Sequence, residues 1–390
     1  MTVPVQFDKR LLPLYTGGEL STPAFVYDEA AIIARLEPLA EIRRNSGCRV
    51  LYSVKAASCS SLLKSINRYV DGFSVSSLFE GRLAHEVRGR REEIHLVSPG
   101  LKQCESAEIA VNCGYVSFNS LAQWQRFRAL GAQVNCGLRI NPELSFLQDE
   151  RFDPCRPDSK LGVPLSQLTS LGNLADQLQG IRGLHVHNNC DSPNFLELEQ
   201  TVNKLMEGLG KTLPGLEWIN LGGGYRFSNT AQLEVLGNIA GGLRKLYGLD
   251  VFFEPGRALV ENTGYLVAGV VDIFMSGART IAVLDTTVNH LPEVFEYQLK
   301  PRVLQESPQG RYTYRLAGAS CLSGDLFGDY SFDEPLEINS RIIFPEAGAY
   351  TLVKANMFNG INLPDVYLLD QDGGLELLKH YDYSHYRERL

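Results

Sequence analysis

A lysine at the end of an apolar run is the first residue with chemistry to offer. Leu51-Tyr-Ser-Val-Lys55-Ala56 closes a stretch from Cys48 that is rich in β-branched and aromatic residues, and small residues follow it. This pattern predicts a buried parallel strand, then a helix over residues 58–69, where Leu62, Leu63 and Ile66 keep helical spacing. Burying an ammonium is costly, and burial favours the neutral amine that attacks an aldehyde. Lys55 then reads as a Schiff-base lysine of the kind that holds pyridoxal 5′-phosphate (PLP). From this stretch alone, a surface lysine with its stem along the protein is the other reading.

Four further clusters carry chemistry. Gly222-Gly223-Gly224 follows the apolar run Trp218-Ile-Asn-Leu221. Three glycines let backbone amides approach a phosphate closely, although glycine runs also make plain turns. Glu254-Pro-Gly256-Arg257 follows Val251-Phe-Phe253. Arg257 suits a phosphate, and Glu254 suits a pyridine nitrogen that must stay protonated. A Glu–Arg ion pair closing a barrel is the alternative. His185 and His187 share one face of a strand by alternation. One of them stacking on a flat cofactor fits better than metal binding, for which no third ligand is evident. His185 reads as a core histidine. Last, Gly318-Ala-Ser-Cys321-Leu-Ser-Gly-Asp325 is a small-residue loop that presents a thiol near an acid. A buried, inert cysteine is the commoner fate of such a residue.

Alternating strands and helices must position these groups. A helix is predicted over residues 29–46, capped by Asp28, and strand-like runs recur near residues 24–27, 48–54, 72–77, 93–97, 116–118, 134–140, 181–187, 218–221 and 251–253. About eight β/α units over residues 23–262 favour a closed (β/α)8 barrel, and the charged or glycine-rich clusters all follow strands, at the face where such barrels hold their chemistry. After Gly264 the helical periodicity fades. Residues 263–390, joined by 1–22, read as an antiparallel β domain.

Composition narrows the class. The chain has 390 residues, 44% of them hydrophobic, and a net charge of −8, which argues against nucleic acid and anionic membrane surfaces. Its N-terminus lacks a signal-peptide core, and no apolar run is long enough to span a membrane. Eight cysteines are scattered without a CxxC pair, as expected for reduced cytosolic thiols.

Taken in order, Lys55 in Tyr-Ser-Val-Lys-Ala, His187, Gly222–Gly224, Glu254-Pro-Gly-Arg, Cys321 in Ser-Cys-x-x-Gly-Asp and Gly348-Ala-Tyr350 resemble the alanine-racemase-fold PLP decarboxylases. The resemblance spans nearly the whole chain. It is strongest to the carboxynorspermidine (carboxyspermidine) decarboxylases, on Asp153-Pro-Cys-Arg-Pro-Asp-Ser-Lys160, Gly183-Leu-His-Val-His-Asn-Asn-Cys190, Met357-Phe-Asn-Gly-Ile361 and Tyr381-Asp-Tyr-Ser-His-Tyr386. It implies that Lys55 holds the cofactor's aldehyde, His187 stacks on its ring and Glu254 pairs with its ring nitrogen. Gly222, Gly223, Gly224, Gly256, Arg257 and Tyr350 would hold its phosphate. Cys321, from the second subunit of a homodimer with sites at the interface, would return a proton after carbon dioxide leaves. Two departures stand out. Asn188-Asn189-Cys190 replaces a Gly-Ser pair. Leu322 replaces the acid that diaminopimelate and ornithine decarboxylases carry after the cysteine, which fits a longer cationic substrate. Asp325 and Asp191 are then the candidates to meet its ammonium groups. A diaminopimelate or other basic amino-acid decarboxylase is the alternative.

Overall fold

A computed structural model describes residues 8–16, 18–210, 215–226 and 230–390. The chain divides into two compact units: residues 34–259, and the described part of residues 1–33 together with 260–390. Strand β1 (Ala24–Asp28) belongs to the second unit.

The first unit is a closed barrel. Its strands are β2 (Arg49–Ser53), β3 (Gly72–Val75), β4 (Ile94–Ser98), β5 (Tyr115–Phe118), β6 (Asn135–Asn141), the two-residue β7 (Val163–Pro164), β8 (Gly183–Val186), β9 (Trp218–Asn220) and β10 (Asp250–Phe253). They pair in the order β5-β4-β3-β2-β10-β9-β8-β6, with β7 beside β6, and β5 pairs with β6 to complete the ring. Every pairing is parallel. Such strands are covered on both faces, so they read as nearly continuous apolar runs. The helix Ser60–Asn67 follows β2 and buries Leu62, Leu63 and Ile66, as their spacing predicts.

Trp218 fills the barrel's interior. A Cβ on Gly183 would lie 2.0 Å from its indole, and one on Gly137 2.3 Å from it, so these two strands carry glycine to make room. His95 stacks on Tyr115 at 3.9 Å between centroids and lies 4.4 Å from Phe252. This plug occupies the start of the strands and leaves their C-terminal ends for the reactive groups.

The second unit is a sheet of β1, β11 (Gly264–Ser276), β12 (Arg279–Leu284), β13 (Tyr312–Ala317), β14 (Leu326–Phe332), β15 (Arg341–Phe344), β16 (Asp365–Leu369) and β17 (Leu375–Lys379), in the order β14-β13-β12-β11-β1-β16-β17, with β15 on β11. It is antiparallel except at β1–β16 and β12–β13. Strand β11 is covered on both faces: Leu266, Ala268 and Val270 enter one cluster with Phe25 and Phe344, while Val267 enters another with Leu14 and Val26.

The fold class expected from sequence, a (β/α)8 barrel with an antiparallel β domain, is the fold observed. The strand at 24–28, however, does not open the barrel. It pairs antiparallel with β11 and parallel with β16. All five of its residues are buried, so its local pattern matches that of a barrel strand. The two-residue β7 has no strand-like run in the sequence, and in the β unit β14 and β17 lack a clear strand pattern, because Gly328 interrupts the first and the second is largely exposed.

Candidate active site

Lys55 sits in the one-turn 3-10 helix Val54–Ala56, immediately after β2. It is exposed, unlike its neighbours Val54 and Ala56. Burial of the ammonium, on which the expectation rested, is therefore not found. What surrounds it is charge: its ammonium acts on Glu80, His185, His187, Cys190 and Glu254. Glu80 was not singled out from sequence. It lies in the first turn of the helix Leu78–Arg88 and accepts from Ser76 N–H at 2.6 Å.

Glu254 follows β10 and is 6% exposed. Its Oε1 lies 2.9 Å from Nε2 of His185, and its Oε2 accepts from Nδ2 of Asn220 at 3.1 Å. Burial alone would raise this carboxyl's pKa. The His185 imidazole, with His187 and Lys55 beyond it, overrides burial and holds the group well below the usual carboxylate range. Burial in turn keeps His185 neutral against the pull of Glu254. Nδ1 of His185 meets no partner among the described residues, which assigns its proton to Nε2. His185 is thus part of the site and not the plain core histidine expected from sequence. Asn220 was missed as well; a polar residue inside the apolar run Trp-Ile-Asn-Leu was its only signal.

His187 lies one residue beyond β8. Its Nδ1 accepts the Gly223 N–H at 3.0 Å, and burial, then Lys55 and Arg139, lower its pKa well below the ordinary value. The neutral ring is fixed in orientation by a backbone donor, as a stacking partner needs to be.

The glycine run forms a tight cup. Gly222 and Gly224 have φ of +70° and +91°. A Cβ would meet Val186 O at 2.3 Å from Gly222, Glu254 O at 2.3 Å from Gly223 and Asn189 O at 2.1 Å from Gly224. Gly256 leaves room for Ser53, whose Cβ would be 2.9 Å away. The backbone here packs closer to its own neighbours than any residue with a side chain would permit. Arg257 pairs with Asp191 at 2.9 Å, and Arg226 lies 3.6 Å from the same carboxylate. Asp191, expected to meet a substrate ammonium, pairs with these two guanidiniums. The residues that replace Gly-Ser pin their own loop: Asn188 Nδ2 donates to Thr201 Oγ1 at 2.6 Å, and Asn189 hydrogen-bonds Glu197.

The β unit carries the remaining residues. Cys321 is exposed, and so is Leu322 beside it. Asp325 is 2% exposed. Its Oδ1 accepts from Val288 N–H at 2.8 Å; its Oδ2 accepts from Ser320 N–H at 3.0 Å and Ser320 Oγ–H at 2.5 Å. This carboxylate organises the thiol loop from inside, with both oxygens hydrogen-bonded to the protein. Tyr350 is partly exposed at φ +66°, with Lys354 Nζ 5.4 Å from its ring centroid.

The barrel residues suit PLP on their own chemistry. An exposed lysine, a buried carboxylate kept ionised, a neutral imidazole and a glycine cup beside an arginine match an aldehyde, a pyridinium, a flat ring and a phosphate. Among the described residues no group of three His, Cys, Asp or Glu is placed to hold a metal.

Known proteins agree with this reading. The family described as pyridoxal-dependent decarboxylase, pyridoxal binding domain, matches residues 30–261. A carboxynorspermidine/carboxyspermidine decarboxylase of Herminiimonas arsenicoxydans is 32% identical, covering 95% of this chain and 100% of its own. A carboxyaminopropylagmatine decarboxylase of Synechocystis is 35% identical, covering 96% of each. The structure of carboxynorspermidine decarboxylase from Campylobacter jejuni complexed with norspermidine superposes with a TM-score of 0.85 at 32% identity, covering 95% of this chain and 100% of that one. A diaminopimelate decarboxylase of Bacteroides thetaiotaomicron matches at 24% identity, over 93% of this chain and 99% of its own. The chain is a member of the pyridoxal-dependent decarboxylase family, and its cofactor is PLP.

Proposed function

We propose that the protein decarboxylates carboxynorspermidine or carboxyspermidine, yielding norspermidine or spermidine in polyamine synthesis. Glu254, buried yet ionised between His185 and Asn220, supports the PLP chemistry, and the observation that carries the substrate class is the 32–33% identity over nearly the full length of carboxynorspermidine/carboxyspermidine decarboxylases. When bound, PLP supplies the electron sink into which the bond to the departing carboxylate breaks. Glu254 keeps the ring nitrogen protonated, and His187 orients the ring from its fixed position. Gly222–Gly224, Gly256, Arg257 and Tyr350 hold the phosphate. Lys55 would hold the cofactor by its aldehyde, as the amine that the α-amines of substrate and product exchange with. The Cys321 thiol gives its proton to the carbon that carbon dioxide has left, and solvent restores the thiol. We further propose that this thiol comes from a second copy of the chain in a homodimer. The eight free cysteines support a cytosolic setting.

The exposed, apolar Leu322 beside Cys321 supports a long substrate whose next nitrogen lies beyond that position. Carboxyaminopropylagmatine is a second candidate, favoured by the 35% identity to the Synechocystis enzyme. Carbon dioxide release from purified, PLP-loaded protein distinguishes them, tested on carboxynorspermidine, carboxyspermidine, carboxyaminopropylagmatine, meso-diaminopimelate and ornithine. The highest kcat/KM is expected on the first two. Preference for diaminopimelate would keep the chemistry and overturn the substrate, and no release from any of them would overturn the activity.

A further inference from the structure

The segment Met357-Phe-Asn-Gly-Ile361 supplies none of the cofactor contacts described above. Residues Phe358–Gly360 form a single turn in which Asn359 takes left-handed angles, φ +56° and ψ +15°, and Gly360 follows at φ +73°. Asparagine tolerates this conformation better than most side-chain-bearing residues, because its short amide can bond locally. Here the amide reaches further. Asn359 Oδ1 accepts the backbone N–H of Cys321 at 3.0 Å, across 38 residues of sequence.

Cys321 to Gly324 are all exposed, so the thiol loop has little packing to fix it. Asp325 grips its base, and the Asn359 amide grips the reactive residue itself. The two supports share a foundation. Val288 N–H donates to Asp325 at 2.8 Å, the carbonyl of the next residue, Asn289, accepts from Asn356 N–H at 3.4 Å, and Asn356 Oδ1 accepts from Phe358 N–H at 3.0 Å. Behind the turn, the Tyr386 ring of the C-terminal helix Tyr383–Arg387 lies 3.5 Å from where a Gly360 Cβ would stand. A chain of contacts thus runs from the C-terminal helix through the Asn359 turn to the thiol.

We infer that Asn359 is a positioning residue for Cys321. Its amide oxygen fixes the peptide plane entering Cys321, and with it the direction in which the thiol points. The inference rests on the reading of Cys321 as proton donor. Proton transfer to carbon needs donor and acceptor aligned, and small misplacements cost rate steeply.

The test compares Asn359→Gly, Asn359→Asp and Cys321→Ala in the PLP-loaded protein. Glycine keeps the left-handed backbone and loses the acceptor, whereas aspartate keeps both. Two readouts are taken: kcat and KM for carbon dioxide release from carboxynorspermidine, and the rate at which iodoacetamide alkylates Cys321, followed by mass spectrometry of its peptide. Asn359→Gly should lower kcat about tenfold with KM within about twofold, and change the alkylation rate at least about threefold, while Asn359→Asp stays near wild type in both. Wild-type kcat or alkylation in Asn359→Gly overturns the inference. Equal losses in the glycine and aspartate variants overturn it too, since the acceptor would then not be what matters. Full activity in Cys321→Ala would remove the donor reading itself, separately from any result at Asn359.

Discussion

Glu254 owes its charge chiefly to His185, which its sequence context marks as a core histidine, with His187 and Lys55 adding to it. With His185 on one oxygen and Asn220 on the other, the carboxylate is held ionised inside a barrel that would otherwise neutralise it. Glu254→Gln removes the charge with little change of shape. It should lower kcat on the order of a hundredfold while PLP remains bound, as seen by visible absorbance and steady-state kinetics. A variant within threefold of wild type would exclude the role. Asp325 makes a different prediction. Asp325→Ala strands the Val288 and Ser320 N–H donors, costing about 1–3 kcal/mol in urea denaturation. An unchanged midpoint would mean that the loop is held by other means. Lys55, His187, Glu254 and Cys321 were legible because their types are rare in their surroundings. The internal partners of Asp325 and Asp191 were not legible, because sequence displays a charge and hides its partner.

At the scale of elements, strand ends do the positioning. Three strands deliver Lys55, His187 and the glycine run to one face, and β10 delivers Glu254 between them. The cup tolerates no side chain at its centre. Gly223→Ala would drive a methyl into Glu254 O, so PLP affinity should fall at least about tenfold in a fluorescence titration of apoprotein. Binding as tight as wild type would show that the cup yields. The strand–helix alternation was readable because parallel strands and amphipathic helices differ in period. The assignment of β1 was not, because full burial leaves the same pattern in either sheet.

Across the whole molecule, buried histidines tie stability to pH. Burial lowers His95 to about 3 and His290 to about 4. Both are neutral in the fold yet bind protons near pH 6.5 once unfolded. The unfolded state therefore takes up protons first. Stability is fully present above about pH 6.5 and falls as pH drops toward 4, by up to about 1.4 kcal/mol per pH unit for each histidine. Denaturation midpoints at pH 7.5 and 5.0 check this, and equal values would refute it. The homodimer proposal has its own test. Co-expressed Lys55→Ala and Cys321→Ala chains, each inactive alone, should recover about a quarter of wild-type activity if each site takes its thiol from the other subunit. Zero recovery would place both groups in one chain.

The sequence by itself determined the barrel, the β unit and the cofactor, and it singled out Lys55, His187, Gly222–Gly224 and Glu254, which the structure places after neighbouring barrel strands. These follow from local period and from residue types in order along the chain. Only the tertiary structure decided that β1 joins β11 and β16, that His185 and Asn220 hold Glu254, that Asp325 bonds Val288 and Ser320 while Asp191 pairs with Arg257, and that Asn359 reaches Cys321. Each of these depends on a contact between residues distant in the chain, and local patterns of apolar and charged residues do not encode which distant partner a group will meet.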